Sequence, residues 1–149
     1  MLATEGNFNN DIGMPLTLLK LRGQHKFAVI EMGMNHPGEI DYLTHIARPD
    51  VALVNNAGAA HLAGLGSVEE VARAKGEIFS GLTAGGVAVI NADDTFAPLW
   101  KQLAQGHTII EFGLEHPAQI SATCQLGPLQ SELKLHTPDG DCAVKLPVP

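Results

Sequence analysis

Several features that mark large classes of protein are missing from this sequence of 149 residues. Nine Lys and Arg residues stand against sixteen Asp and Glu, the net charge is −7, and no basic cluster suggests a nucleic-acid surface. No apolar run approaches the ~20 residues that a membrane-spanning helix requires. The first residues also lack the basic and apolar regions of a signal peptide. These absences predict a protein of the cytoplasm that binds neither nucleic acid nor membrane.

Cysteine is scarce, and several familiar motifs are absent. Cys124 and Cys142 are the two cysteines, and their spacing is typical of neither a metal site nor a redox pair, which favours a reduced, cytoplasmic protein. No GxxxxGK[ST] motif occurs, so the sequence offers no triphosphate-binding loop of its own. The absence of GxGxxG and GxSxG argues against a dinucleotide enzyme and an α/β-hydrolase.

Up to residue 117, apolar runs alternate with segments of helical periodicity. The predicted strands are 27–32, 51–54, 87–90 and 108–112, and the predicted helices are 14–21, 37–47, 67–82 and 95–104. Continuous apolar runs are typical of buried parallel strands. This alternation predicts an α/β fold, a mostly parallel sheet flanked by helices.

The pattern changes after Pro117. Short strand candidates at 119–126, 130–136 and 143–146 are separated by Gly127-Pro128 and by Pro138-Asp139-Gly140, as in an antiparallel meander. We therefore predict one domain over residues 1–149, with an α/β part at 1–117 and a small antiparallel β appendage at 118–149.

Two polar positions follow neighbouring strands of the predicted sheet. Glu31 ends the run 27–32, at the strand end where open α/β sheets bind ligands, and a carboxylate there suits Mg²⁺. Asn56 ends the next strand, and His61 follows in a Gly- and Ala-rich loop near the same edge, where it could bind metal or contact phosphate. The alternatives are a solvated or ion-paired Glu31 and an exposed loop histidine.

Lys75 has the spacing of a residue inside an apolar helical stripe. It lies four residues after Val71 and four before Phe79, where a charged side chain is rare unless paired. One interpretation is that its stem covers the core while the amine reaches solvent. The other is a functional lysine whose neutral amine takes up CO₂ and becomes a carbamate, an anion suited to a Mg²⁺ site.

The segment TEGNFNN carries three asparagines, Asn7, Asn9 and Asn10. Their amides could donate hydrogen bonds to phosphate oxygens. The alternative is a loop of Asx-turns that binds no ligand.

Five blocks of the sequence resemble, in the same order, the central domain of the Mur ligases, ATP-dependent amide-bond ligases of cell-wall synthesis. They are TEGNFNNDIGMPLTLL, FAVIEMGMNHPGEI, RPDVALVNNAGAAHLAGLGS, VARAKGEIF and VINADD. Within the family, EMGMNHPGEI and NNAGAAH are most similar to the branch that joins D-alanyl-D-alanine to UDP-N-acetylmuramoyl-tripeptide. One departure is Ala60, where the wider group often has Asp before the histidine.

The resemblance implies a role for each candidate residue. Glu31 matches a Mg²⁺-binding glutamate, and Asn56 matches an asparagine beside the second metal site. His61 matches a catalytic histidine at the second metal and phosphate site. Lys75 matches a catalytic lysine that is carbamylated and helps to hold the second Mg²⁺. The loop of Asn7, Asn9 and Asn10 matches the region that faces the UDP-sugar substrate.

The same resemblance implies ATP and Mg²⁺ as cofactors and an acyl phosphate as intermediate. It also implies that the chain is truncated at both ends, with the phosphate-binding loop and the amine-binding domain outside it, so the chain alone is expected to be inactive. Two alternatives stay open. One is another ligase of the superfamily, such as a folylpolyglutamate synthase or a cyanophycin synthetase, and the other is a non-catalytic binding module.

Overall fold

The computed structural model of this chain describes residues 1–60 and 62–147, and it leaves the side chains of residues 62 and 63 undescribed. The helices are α1 Gly13–Leu18, α2 Glu39–Ala47, α3 Leu62–Leu65, α4 Val68–Gly76 and α5 Ala97–Leu103, with a 3-10 helix at Glu77–Gly81. The strands are β1 Leu2–Ala3, β2 Ala28–Val29, β3 Val51–Val54, β4 Val87–Asn91, β5 Thr108–Gly113, β6 Ile120–Leu126, β7 Ser131–Thr137 and β8 Gly140–Leu146. None of the helices in these ranges is long and apolar enough to cross a membrane.

Six strands form the main sheet in the order β3-β4-β5-β6-β7-β8. Strands β3 to β6 are parallel neighbours, with Leu53 opposite Val89. Strands β6, β7 and β8 are antiparallel. The predicted fold class is therefore confirmed, including the antiparallel addition at the C-terminal end.

The prediction of a buried strand over 27–32 is wrong. Only Ala28–Val29 is strand, it pairs with β1 alone, and Phe27 and Val29 are 71% and 59% exposed. The run does not continue as a strand beyond Val29, because its later backbone N–H groups form hydrogen bonds with the loop after β1. Thr4 Oγ1 accepts the N–H of Glu31 at 2.9 Å, and the carbonyl of Asn9 accepts the N–H of Gly33 at 2.8 Å. Local apolar composition cannot distinguish this arrangement from a strand with two neighbours.

The predicted helix 67–82 is divided in two. Ser67 caps α4 by accepting the N–H of Glu70 at 3.2 Å, as the capping-box pattern predicts. The helix tightens into 3-10 geometry after Gly76, and the Ile78 carbonyl then accepts the hydroxyl of Thr44 at 2.8 Å. A Cβ at Gly81 would lie 2.5 Å from the Thr44 carbonyl oxygen, so glycine is required where this segment meets α2.

Two apolar cores hold the described elements together. The first lies between the main sheet and helices α4 and α5, and it contains Trp100, Phe79 and Ile90. The second joins α1, α2 and α4 through Met14, Leu43 and Val71, among others. Helix α4 contributes to both cores, so it fixes the position of Lys75 relative to the sheet and to α2.

Asp93 fastens the turn after β4 to the loop after β5. Its carboxylate accepts the backbone N–H groups of Leu114 at 2.6 Å, His116 at 2.7 Å and Glu115 at 3.2 Å. The hydrogen bond from Leu114, followed by that from His116, lowers the pKa of Asp93 from 3.8 to about 2. A carboxylate held in this way stabilises the fold only while it is ionised.

Acid is therefore expected to weaken the chain through Asp93. Because the folded pKa lies below the unfolded value of 3.8, the contribution is complete above about pH 4 and is lost as the pH falls towards 2. Urea unfolding at several pH values should show a shallower acid loss for Asp93→Asn than for the wild type. Asp139→Asn, which removes the same charge from an exposed turn, should keep the wild-type slope. Equal slopes for the wild type and Asp93→Asn would contradict this role.

Candidate functional site

A cavity of about 720 Å³ lies where the loop after β1 meets the segment after β2 and the start of α2. Its lining includes Glu31 and Lys75, two of the residues singled out by the sequence. The loop contributes Asn7, Asn9, Asn10 and Asp11, the segment contributes Glu31, Met32, Gly33, Met34 and Asn35, helix α2 and its cap contribute Gly38, Glu39, Tyr42 and Leu43, and α4 contributes Lys75. The structure thus brings together a carboxylate, a lysine and an amide-rich loop that are distant in sequence.

Glu31 is held from two sides while its side chain stays exposed. Asn9 Nδ2 donates to Oε1 at 2.8 Å, and the backbone N–H of Glu31 donates to Thr4 Oγ1 at 2.9 Å. Glu31 lies two residues after the end of β2, so it follows a strand as predicted, although that strand is only two residues long.

Lys75 is half-buried at the wall of the cavity. Its neighbours Val71 and Ala74 are buried in the second core, which agrees with a stem that lies along the apolar stripe. None of the described carboxylates forms an ion pair with it. The amine is therefore available to a ligand in the cavity, and the geometry is compatible with both interpretations of this lysine.

The three asparagines of the loop have different surroundings. Asn10 Oδ1 accepts the N–H of Gly13 at 2.8 Å and that of Ile12 at 3.3 Å, which forms an Asx-type turn at the entry to α1. This is the Asx-type contact that the sequence left as an alternative. Asn9 contacts Glu31, and Asn7 lines the cavity with an exposed side chain.

Asn56 is not among the described residues that line the cavity. Asn56 is exposed in the loop after β3 and is absent from the cavity lining. The next residue, Ala57, donates its N–H to Asp94 Oδ2 at 3.0 Å, which ties this loop to the turn after β4. His61 lies outside the described residues, so its predicted roles stay predictions.

Sequence reasoning missed the carboxylate of Glu39 in the cavity wall. Its Oε2 accepts the N–H groups of Asn35 at 2.6 Å and His36 at 3.2 Å, and its Oε1 lies 3.1 Å from His36 Nδ1. The Asn35 backbone hydrogen bond, then the His36 side chain, lowers the pKa of Glu39. An acidic residue in the first turn of a helix is a recognisable signal. It does not predict these contacts, because they reach back to the segment before α2.

Glu77 was also missed. Its two oxygens accept the N–H groups of Gly38 at 2.8 Å and Asp41 at 3.1 Å, so it anchors the start of α2 from 36 residues or more away. No local sequence pattern predicts a contact between residues so far apart in the chain. By fixing the start of α2, Glu77 fixes one wall of the cavity.

The described residues fit an open magnesium site better than a closed one. No group of three or more His, Cys, Asp or Glu within 1–60 and 62–147 is arranged to hold a metal ion. Mg²⁺ commonly keeps several waters and takes one or two carboxylates together with substrate phosphates. Glu31, exposed at a cavity with one oxygen free of hydrogen bonds from described residues, suits that manner of binding.

The model of one protein family, described as Mur ligase middle domain, matches residues 1–149. The chain belongs to the Mur ligase family. It is 47% identical, over 149 residues, to the UDP-N-acetylmuramoyl-tripeptide–D-alanyl-D-alanine ligase of Haemophilus influenzae. That match covers 99% of this chain and 32% of the relative, so the chain spans about a third of the relative's length.

Solved structures agree with this assignment to the Mur ligases. MurF from Acinetobacter baumannii has a TM-score of 0.92 and 42% identity over 99% of this chain and 32% of that one. The MurF ligase from Thermotoga maritima, solved in complex with ADP, has a TM-score of 0.80 and 29% identity over 96% of this chain and 33% of that one. The resemblance inferred from the five sequence blocks is therefore confirmed at the level of family and fold.

Proposed function

We propose that this chain is the middle domain of an ATP-dependent ligase that joins D-alanyl-D-alanine to UDP-N-acetylmuramoyl-tripeptide. The observation that carries the proposal is the cavity shared by Glu31, Lys75 and the asparagine loop, in a domain 47% identical to such a ligase. ADP in the Thermotoga maritima relative supports a nucleotide as co-substrate. We place this ligase in the cytoplasm, because its two free cysteines, Cys124 and Cys142, suit a reducing compartment.

The proposed reaction has two steps. A terminal carboxylate oxygen of the tripeptide attacks the γ-phosphorus of ATP, ADP leaves, and an acyl phosphate forms. The amine of D-alanyl-D-alanine then attacks the acyl carbon, phosphate leaves with the former carboxylate oxygen, and the amine loses a proton as the amide forms. Because both partners of the first step are anions, the site must position them and offset their repulsion.

Glu31 and Lys75 are the described residues suited to that task. Mg²⁺, when bound, would offset the charge of the phosphates and of the phosphoryl group in transfer. Glu31 would hold this ion through its free carboxylate oxygen. Lys75 would act as a carbamate, formed when its neutral amine adds CO₂ and releases a proton, and would give the site a second anionic ligand.

The remaining residue assignments rest on the family resemblance. We assign His61 to the second metal and phosphate site, with Asn56 beside it. Asn7 and Asn10 are assigned to the face that meets the UDP-sugar, and Asn10 would use its amide nitrogen because its oxygen already accepts the N–H of Gly13. In the ligase, the phosphate-binding loop would precede Thr4 and the amine-binding surface would come from the C-terminal domain, so the chain alone would be inactive.

A chimeric ligase provides the test. Residues 1–149 would replace the matching third of the Haemophilus influenzae ligase, and the products would be identified by mass spectrometry after addition of ATP, Mg²⁺ and UDP-N-acetylmuramoyl-tripeptide. We expect the chimera to make the amide product with D-alanyl-D-alanine, whereas the same chimera carrying Glu31→Gln should make little of it. A soluble, folded chimera that makes no product with D-alanyl-D-alanine would overturn the proposal.

A further inference from the structure

The two carboxylate oxygens of Glu31 have different surroundings. Oε1 accepts a hydrogen bond of 2.8 Å from Asn9 Nδ2, whereas Oε2 accepts none from the described residues. A carboxylate with two free oxygens can rotate and can bind a cation through one or both of them. A carboxylate with one oxygen fixed by a neutral donor is oriented and has the other oxygen left for a ligand.

Asn9 is itself held firmly, which makes it a suitable support. Its backbone N–H donates to the Asn7 carbonyl at 2.8 Å, and its own carbonyl accepts the N–H of Gly33 at 2.8 Å. Because the N–H of Thr4 also donates to the Val29 carbonyl at 3.0 Å, the residues on both sides of Glu31 are attached to the segment that carries Asn9. The side-chain amide of Asn9 can turn little without breaking its contact with the carboxylate.

Gly33 leaves the space that the side-chain amide of Asn9 occupies. A Cβ at this position would lie 2.9 Å from Asn9 Nδ2 and 3.0 Å from its Cγ. The amide therefore packs directly on the Gly33 backbone. A side chain at residue 33 would therefore displace the Asn9 amide from its present position.

We propose that Asn9 is a positioning residue that orients Glu31, so that a divalent cation binds through Oε2 alone. This assignment replaces the expected contact between Asn9 and the sugar substrate. It rests on the proposed function only in taking Glu31 as a cation ligand. Neutral donors that orient a ligating side chain commonly change metal affinity by on the order of tenfold when they are removed.

The test measures cation binding by the 149-residue chain and needs no catalysis. Mn²⁺, a paramagnetic substitute for Mg²⁺, would be titrated into the ¹⁵N-labelled chain, and broadening of the amide signals of Met32 and Gly33 would be followed. The indole signal of buried Trp100 reports whether each variant is folded. We expect Asn9→Ala and Gly33→Ala to require on the order of tenfold more Mn²⁺ for the same broadening.

Two controls define the outcomes. Gly23→Ala adds the same methyl group where no atom lies within 4 Å, and it should bind Mn²⁺ like the wild type. Glu31→Gln should abolish the local broadening. If Glu31→Gln abolishes it while Asn9→Ala and Gly33→Ala match the wild type, the positioning role is overturned and the metal site stands. If Glu31→Gln leaves the broadening unchanged, the cation assignment of Glu31 fails and the positioning role fails with it.

Discussion

Glu31→Gln is expected to lower the turnover of the chimeric ligase by on the order of 100-fold or more. The change removes the carboxylate charge that would hold Mg²⁺ beside the transferring phosphoryl group. Glutamine keeps the size of the side chain and an oxygen that can accept from Asn9, so the local fold should survive. Steady-state phosphate release at increasing Mg²⁺ measures the effect. The requirement for Mg²⁺ should rise as turnover falls.

The matched control for this prediction is Glu115→Gln. Glu115 is an exposed glutamate in the loop after β5, outside the cavity lining. Its replacement should leave turnover near the wild-type value. If Glu31→Gln and Glu115→Gln behaved alike, Glu31 would have no part in phosphoryl transfer.

Lys75 variants separate the two interpretations of that lysine. If Lys75 acts as a carbamate, both Lys75→Ala and Lys75→Arg should lose activity, since neither side chain can add CO₂ to form an anion. Wild-type turnover should then depend on bicarbonate, and short carboxylic acids should restore part of the activity of Lys75→Ala. Activity retained by Lys75→Arg would instead indicate a cation that contacts phosphate directly.

Trp100→Ala is expected to destabilise the chain by about 3–5 kcal/mol, the range for large aromatic truncations in a packed core. The side chain is 0% exposed in the first core, and its Nε1 donates to the Ala72 carbonyl at 2.8 Å. Truncation therefore leaves a cavity and removes the bond that joins α5 to α4. Urea unfolding of the variant would measure the loss in free energy of unfolding.

Two further variants serve as comparisons for the stability loss of Trp100→Ala. Trp100→Phe keeps most of the buried volume but loses the N–H donor, so it should be less damaging than alanine. Leu129→Ala truncates a side chain that is 84% exposed and should change stability by less than about 0.5 kcal/mol. A loss for Trp100→Ala no larger than that for Leu129→Ala would show that the first core is assigned incorrectly.

The parallel strands were predictable because their signal is local. The runs at 51–54, 87–90 and 108–112 correspond closely to β3, β4 and β5. Sequence did not reveal that β3 has only one covered face, where Ala52 and Val54 are buried while Val51 and Leu53 are exposed. Apolar composition reports the tendency of a strand to be buried, whereas coverage depends on which other elements pack against it.

Sequence indicated some of the residues that line the cavity but not their contacts. Strand-end position indicated Glu31, and helical spacing indicated Lys75, and both line one cavity. The turn at Asn10 could have been inferred, because asparagine side chains commonly accept a hydrogen bond from their own backbone two residues on. The bond between Asn9 and Glu31 could not, since it joins residues 22 positions apart through the register of two irregular segments.

The most direct measurement follows an oxygen atom through the reaction. UDP-N-acetylmuramoyl-tripeptide labelled with ¹⁸O in its terminal carboxylate would be given to the chimeric ligase with ATP, Mg²⁺ and D-alanyl-D-alanine. The released phosphate would be analysed by mass spectrometry. An acyl phosphate formed at this cavity predicts that each phosphate carries an oxygen from the carboxylate and that Glu31→Gln suppresses the labelled product. Amide formation with unlabelled phosphate would contradict the account.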